Sequence, residues 1–179
     1  MRQSIFNNEK GFTIVETLIA LTIFSIAVAG IITVTVQGGT STTATRNRMV
    51  ANYLAQEGIE LMRGYRDSSV LATPGDASLG WNNFVSSVSG CVASQCNMNA
   101  TNPSAPVGCA STGCPLVYTA SGFYTSVGTG TATPYSRKIN LASYGSNEIE
   151  ILSTVTWKEG SADRTITVQE SIFNWYETI

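Results

Sequence analysis

Histidine is absent from this 179-residue chain. Its absence excludes a Ser-His-Asp triad, a Cys-His dyad and any zinc site that needs imidazole. Charge is scarce as well. Asp, Glu, Lys and Arg make up 12% of the residues and the net charge is −2, so there is no basic field to hold a nucleic acid. No glycine-rich phosphate loop occurs, because Gly128-Thr129-Gly130 lacks the residues that would continue one. Asp67 and Asp76 are too sparse for a calcium loop, and Glu148 and Glu150 sit on the solvated face of an expected strand. No residue set supports an enzyme, and no cofactor or metal is implied. Between Thr17 and Thr45 there is no charged residue, and from Phe12 to Arg66 there is no proline.

What is present begins with a long apolar run. Phe12 to Val36 is 25 residues with one ionisable side chain, Glu16. A helix of about 20 mostly apolar residues spans a bilayer, and a helix satisfies its own backbone hydrogen bonds there. A cleaved secretory signal has a shorter apolar region and a small-residue cleavage site. Here the run is too long, and no such site precedes Gly38-Gly39. A carboxylate near the membrane centre costs roughly 2.5–3.5 kcal/mol, and less at the interface. Glu16 therefore needs a partner.

The residues before the run supply a pattern. A short polar leader with Arg2 and Lys10 ends in Gly11, Phe12 follows, and Glu16 lies four residues further on. This resembles the N-terminal signal of type IV prepilins and type II secretion pseudopilins. The resemblance implies cleavage of the Gly11–Phe12 bond by a membrane prepilin peptidase, N-methylation of Phe12, and a role for Glu16 in filament assembly. It also implies an inner-membrane precursor, an assembly platform, other pilin subunits as partners, and a final place in a filament at the cell surface. The physics runs parallel to it. Cleavage would bare a cationic amine, and Glu16, about one helical turn or 5.4 Å further on, is the acid able to meet the amine of an offset neighbour. At about 4 Å and an effective dielectric near 20, that attraction is roughly 4 kcal/mol before desolvation. The other reading is a single-span adhesin or receptor that is never cleaved and never polymerises.

The expected fold is α+β, the ladle-like pilin architecture of a long N-terminal helix packed on a C-terminal antiparallel sheet. The expected divisions are a leader over 1–11, an apolar helix over 12–37, an amphipathic half over 38–66 and a head over 67–179. Without the leader the chain keeps 8 basic and 11 acidic side chains, net −3. Gly30 and Gly38-Gly39 are points where the helix can bend or melt. In the second half, Val50, Tyr53, Leu54, Gly58, Leu61, Met62 and Tyr65 recur at helical spacing, a stripe to be buried on the sheet. Gly64 and Asp67-Ser68-Ser69 mark the helix end. Residues 51–67 resemble the same segment of V-type minor pilins and related pseudopilins.

Beyond the helix, Pro74-Gly75-Asp76 signals a turn and Leu79–Val88 a short helix with Trp81, Phe84, Val85 and Val88 on one side. A polar loop over 89–115 holds all four cysteines, as Cys91-x4-Cys96 and Cys109-x4-Cys114. In an exported domain an even count reads as disulfides. Pairing within each motif is favoured, and a nested Cys91–Cys114 pairing stays open. Four strands follow: Leu116–Tyr124, then alternation over Tyr135–Leu141 and Ile149–Trp157, a turn at 158–163, and Arg164–Ser171. Ile172, Phe173 and Trp175 are expected to close the core.

Overall fold

The structure is a computed structural model that describes residues 11–102, 104–110 and 113–175. The expected leader, with Arg2, Glu9 and Lys10, lies outside the described residues apart from Gly11. The chain has a long N-terminal helix followed by an antiparallel sheet, an α+β fold consistent with that of pilins. It divides into two compact units between Thr45 and Arg46, which are taken in turn.

The first unit is the apolar half of helix α1 (Ile14–Leu71). The helix is unbroken across Gly30 and Gly38-Gly39. Every large apolar side chain here is exposed, from Phe12 at 80% and Phe24 at 66% to Val36 at 61%. Nothing in this unit covers them.

In the second unit, the later half of α1 buries Ala51, Leu54, Ala55, Gly58, Ile59, Met62, Arg66 and Val70. The spacing is helical, but the face is rotated from the expected stripe. Tyr53 is 63% exposed, while Ala51 and Ala55 are fully buried. Pattern reading favours the bulkiest apolar side chains. Close packing against a sheet favours small ones where the two backbones approach. Gly58 shows this directly: a Cβ there would lie 2.4 Å from Ser153 Oγ and 3.2 Å from Arg137 Cδ.

The helix also outruns its expected end. Ser68 and Ser69 donate their hydroxyls back to Gly64 O (2.7 Å) and Tyr65 O (2.9 Å), and Val70 is buried one turn later. Residues that favour caps are here absorbed into the helix by back-bonding.

Helix α2 (Ala77–Val88) is capped by Asp76, whose carboxylate accepts from Leu79 N at 2.9 Å. It buries Trp81, Phe84 and Val88, and Trp81 Nε1 donates to Ser146 O at 2.5 Å. A single turn, α3 (Gly90–Ala93), follows.

The strands are β1 (Cys96–Asn97), β2 (Val107–Gly108), β3 (Pro115–Tyr118), β4 (Tyr124–Thr125), β5 (Thr131–Tyr144), β6 (Glu148–Glu159) and β7 (Ala162–Phe173). All pairings are antiparallel. The long strands run β5-β6-β7, while β1 and β3 share the other flank of β5 and carry β2 and β4 outside them. The strand expected over 116–124 is in fact two. Gly122, at φ 86°, closes a turn by donating to Thr119 O at 3.0 Å, and β4 folds back on β3. The cysteine loop, expected to lack strands, contributes β1 and β2.

The core face of the sheet follows the alternation in the sequence. Arg137, Ile139, Ile149, Ile151, Ser153 and Val155 are fully buried. Trp81 and Trp157 belong to the core, but Trp175 is 71% exposed and Phe173 44%. They stack edge-on to each other, 6.4 Å between centroids, rather than closing the domain. Phe173 pairs with the exposed Glu148 on the outer face of the sheet, opposite the buried Ile172, and Trp175 lies beyond the end of β7.

Two glycine substitutions test the helix–sheet contact. Gly58→Ala is expected to lower unfolding free energy by about 1–3 kcal/mol, as overpacking outweighs the gain in helix propensity. Gly64→Ala has nothing within 4 Å of the added Cβ and is expected to raise it by up to about 1 kcal/mol. Urea denaturation of the detergent-solubilised chain reads both, and a destabilised Gly64→Ala or an unchanged Gly58→Ala contradicts this packing.

Candidate processing and assembly site

The first turn of α1 is built by Thr13. Its Oγ1 accepts from Glu16 N at 3.3 Å, and its carbonyl accepts from Thr17 N at 3.2 Å. Thr13-Ile14-Val15-Glu16 is the Thr-x-x-Glu pattern of a helix start, with the acid three residues past the cap. The sequence reading passed over this signal. An acid in the first turn also meets the positive end of the helix dipole, so Glu16 has a local helix-starting role whatever else it does. Gly11 and Phe12 precede the helix in exposed chain without regular secondary structure. The structure therefore places Gly11, Phe12 and Glu16 at one helix terminus, with all three exposed.

Further along, polar side chains in the apolar run satisfy themselves. Thr17, Thr22 and Ser25 donate to Ile14 O, Ile19 O and Leu21 O, each at 2.8 Å. Thr33 and Thr35 donate to Ala29 O (2.9 Å) and Ile31 O (2.8 Å). A hydroxyl bonded within its own helix adds little cost in an apolar medium, whereas an unpaired one costs several kcal/mol. Between Ile14 and Val36, Glu16 is the polar side chain left without an internal partner among the described residues. The helix is long and apolar enough to cross a membrane by length and composition.

Residues 6–32 match the family model of the prokaryotic N-terminal methylation motif. The chain carries a type IV prepilin-like signal. The prepilin signal supports a place in the pilin and pseudopilin family, points to a structural protein rather than an enzyme, and together with the apolar helix fits a membrane-anchored precursor. Neither the curated proteins nor the solved structures compared with the chain contain a match.

In the head, disulfides join Cys91 to Cys96 and Cys109 to Cys114. Among the described residues, no three or more His, Cys, Asp or Glu side chains come together as a metal site would require. The first bridge lies in the core, with both cysteines buried beside Met98 and Ile139. Glu150 is held on the outer face by Gln169, which matches a solvated strand residue.

The polar centre of the head is one that sequence patterning did not single out. Arg137 is fully buried. Its Nη1 donates to Glu57 Oε2 (2.7 Å) and Leu54 O (3.1 Å), its Nε to Asn97 Oδ1 (2.9 Å), and its Nη2 to Met98 O (3.3 Å). Burial pulls this guanidinium below the ordinary arginine range, and Glu57, by charge and hydrogen bond, pushes it back up. Nearer the surface, the Arg63 guanidinium is raised, first by its hydrogen bond to Glu170. Burial, with a smaller push from Tyr124, raises the Tyr135 phenol, and Arg46 lowers it. The signal for Arg137 was a charged residue at an inward position of an alternating strand. Pattern reading counts such a residue by face and cannot see its partners.

Removing Arg137 strands several acceptors, so Arg137→Met is expected to cost about 3 kcal/mol of stability. Glu57 is one-third exposed and Arg137 keeps its carbonyl acceptors without it, so Glu57→Gln is expected to cost only about 1 kcal/mol. Denaturant midpoints of the full chain in detergent measure the difference; equal losses contradict this account of the network.

Proposed function

We propose that this protein is a structural subunit, a minor pilin or related pseudopilin, of a type IV pilus-like filament. In this reading residues 1–11 are the leader, prepilin peptidase cuts after Gly11, and Phe12 is N-methylated. Residues 12–37 sit first in the inner membrane and then in the filament core. Residues 38–66 lead into the head over 67–179, which faces outward beyond the cytoplasm. The observation that carries it is the apolar helix: wholly exposed, self-satisfied in its hydroxyls, and carrying one uncompensated carboxylate a turn from the new terminus. Such a helix is suited to burial among copies of itself and other pilin subunits. The amine of one subunit and Glu16 of the next would set their register. Head-to-tail contacts of this kind do not close, and so they extend. The buried cysteine bridge and the V-type likeness of residues 51–67 favour a minor subunit.

Mass spectrometry of the N-terminal peptide, from sheared filaments and from membranes separately, tests the reading. A methylated Phe12 terminus in the sheared fraction is expected. An intact Met1 terminus found only in membranes favours the single-span adhesin that does not polymerise. Gly11→Asp is expected to abolish processing, and unchanged processing moves the cleavage site. Glu16→Ala is expected to lose filament incorporation by at least tenfold while membrane insertion is kept; normal incorporation removes Glu16 from assembly.

A further inference from the structure

The outer edge of β7 is a long run of unpaired backbone. Among the described residues β7 pairs with β6 alone, through twelve consecutive pairs without a shift in register. The phase of that ladder is set just past its end, where Asn174 N–H donates to Asn147 O at 2.9 Å. Alternation in an antiparallel pair then turns the N–H and C=O of Arg164, Ile166, Val168 and Glu170 toward β6. Those of Asp163, Thr165, Thr167, Gln169 and Ser171 turn away. The side chains agree with this phase. Thr154 and Thr167 are opposed with hydroxyls 3.0 Å apart, as suits the non-hydrogen-bonded pairs, in which facing residues come closest. At the far end the edge is closed, because Phe173 O accepts from Arg66 Nη1 at 3.0 Å. Between Asp163 and Ser171 no described group takes up the outward donors and acceptors.

Proteins blunt such edges with lysine, proline or bulges. β7 has none of these. Its Arg164 and Glu170 are occupied, by Glu159 and Arg63. Ile166 and Val168 stay half-exposed at the rim of the core. At the closed end, the exposed Phe173 and Trp175 offer an apolar footing continuous with the edge.

We propose that β7 receives an extended strand of a different protein, which pairs along Asp163–Ser171 and lengthens the sheet by one strand. The paired stretch is about 27 Å long. The incoming strand alternates, with apolar side chains beside Ile166 and Val168 and polar ones beside Thr165, Thr167 and Gln169. A second copy of this chain does not supply it. The remaining outer strands, β2 and β4, are two residues each. Antiparallel self-pairing through a two-fold axis would set two copies in opposite directions, whereas the head-to-tail filament proposed above sets all copies in one direction. That last step rests on the filament reading above.

The test uses the full chain in its native membranes with a photo-crosslinking phenylalanine at Gln169, and at Asn140 on the same sheet face as a control. The expected result is an adduct at Gln169, at least tenfold above Asn140, whose crosslinked peptide comes from another protein and alternates apolar and polar residues. Adding Thr167→Pro, which removes an outward N–H and no ladder bond, is expected to reduce that adduct at least tenfold, and Thr167→Val to keep it. No adduct above the control, an adduct between two copies, or equal yields from the proline and valine variants overturns the proposal. Hydrogen exchange of the unmutated chain in detergent is a check that needs no variant to fold. The amides of Thr165, Thr167 and Gln169 are expected to exchange at least tenfold faster than those of Ile166 and Val168. The opposite phase removes the free edge. N-terminal processing is measured separately, so failure here leaves the filament reading standing or falling on its own data.

Discussion

The head depends on a buried guanidinium. Arg137 sits on the inner face of β5, where the later half of α1 and the cysteine loop converge, and it bonds to Leu54 and Glu57 of the helix and to Asn97 and Met98 of the loop. A buried cation is tolerable only when its donors are paired. Glu57 supplies the charge, and Leu54 O, Asn97 and Met98 O supply the geometry. Two apolar clusters lie on either side, one around Ile59, Met62 and Ile139, the other around Leu54, Tyr135 and Trp157. Gly58 leaves room for this arrangement, since any side chain there would collide with Ser153 and crowd Arg137. Apolar packing alone would let the helix slide along the sheet. The directed bonds from Arg137 allow one position.

The two halves of α1 solve opposite problems with the same backbone. After Arg46 the helix buries one face, with the small Ala51, Ala55 and Gly58 set among Leu54, Ile59 and Met62. Before Thr45 it buries nothing and presents large apolar side chains all round. Between Ile14 and Val36 the threonines and the serine are weak helix formers, yet each hydroxyl is turned onto a carbonyl one turn back. What an apolar surrounding meets is then almost pure hydrocarbon, with Glu16 as the exception.

Much of this was legible in the residues. The period-two alternation of Tyr135–Leu141 and Ile149–Trp157 gives both the strands and their buried face, because one side of an antiparallel sheet is wet. The apolar run, with Gly11, Phe12 and Glu16 at their offsets, pointed to the prepilin signal that the family model matches. Other features turn on tertiary contact. Ala51 and Ala55 are buried because the sheet lies close, which no helical stripe of bulky residues discloses. Ser68 and Ser69 read as a stop, but Val70 has a place in the core, and the helix continues to reach it. Residues 116–124 read as one strand because the turn at Gly122 is short and flanked by aromatics. Arg137 looked like one more alternating position, since its value lies in groups 40 and 80 positions away, at Asn97 and Glu57.

The distance between those partners has a consequence for how the chain reaches its folded form. The helical stripe comes early, and the strands that cover it come late: about eighty residues separate Ile59 from Ile139. The two disulfides, each closing between cysteines five positions apart, form from local chain and need nothing from the rest of the sheet. During synthesis from the N-terminus, cross-links in the middle of the chain are therefore available before the core is. For that interval Leu54, Ile59 and Met62 lie bare next to a segment already suited to lipid. That face of α1 stays uncovered until β5 and β6, the strands that bury it, have been made.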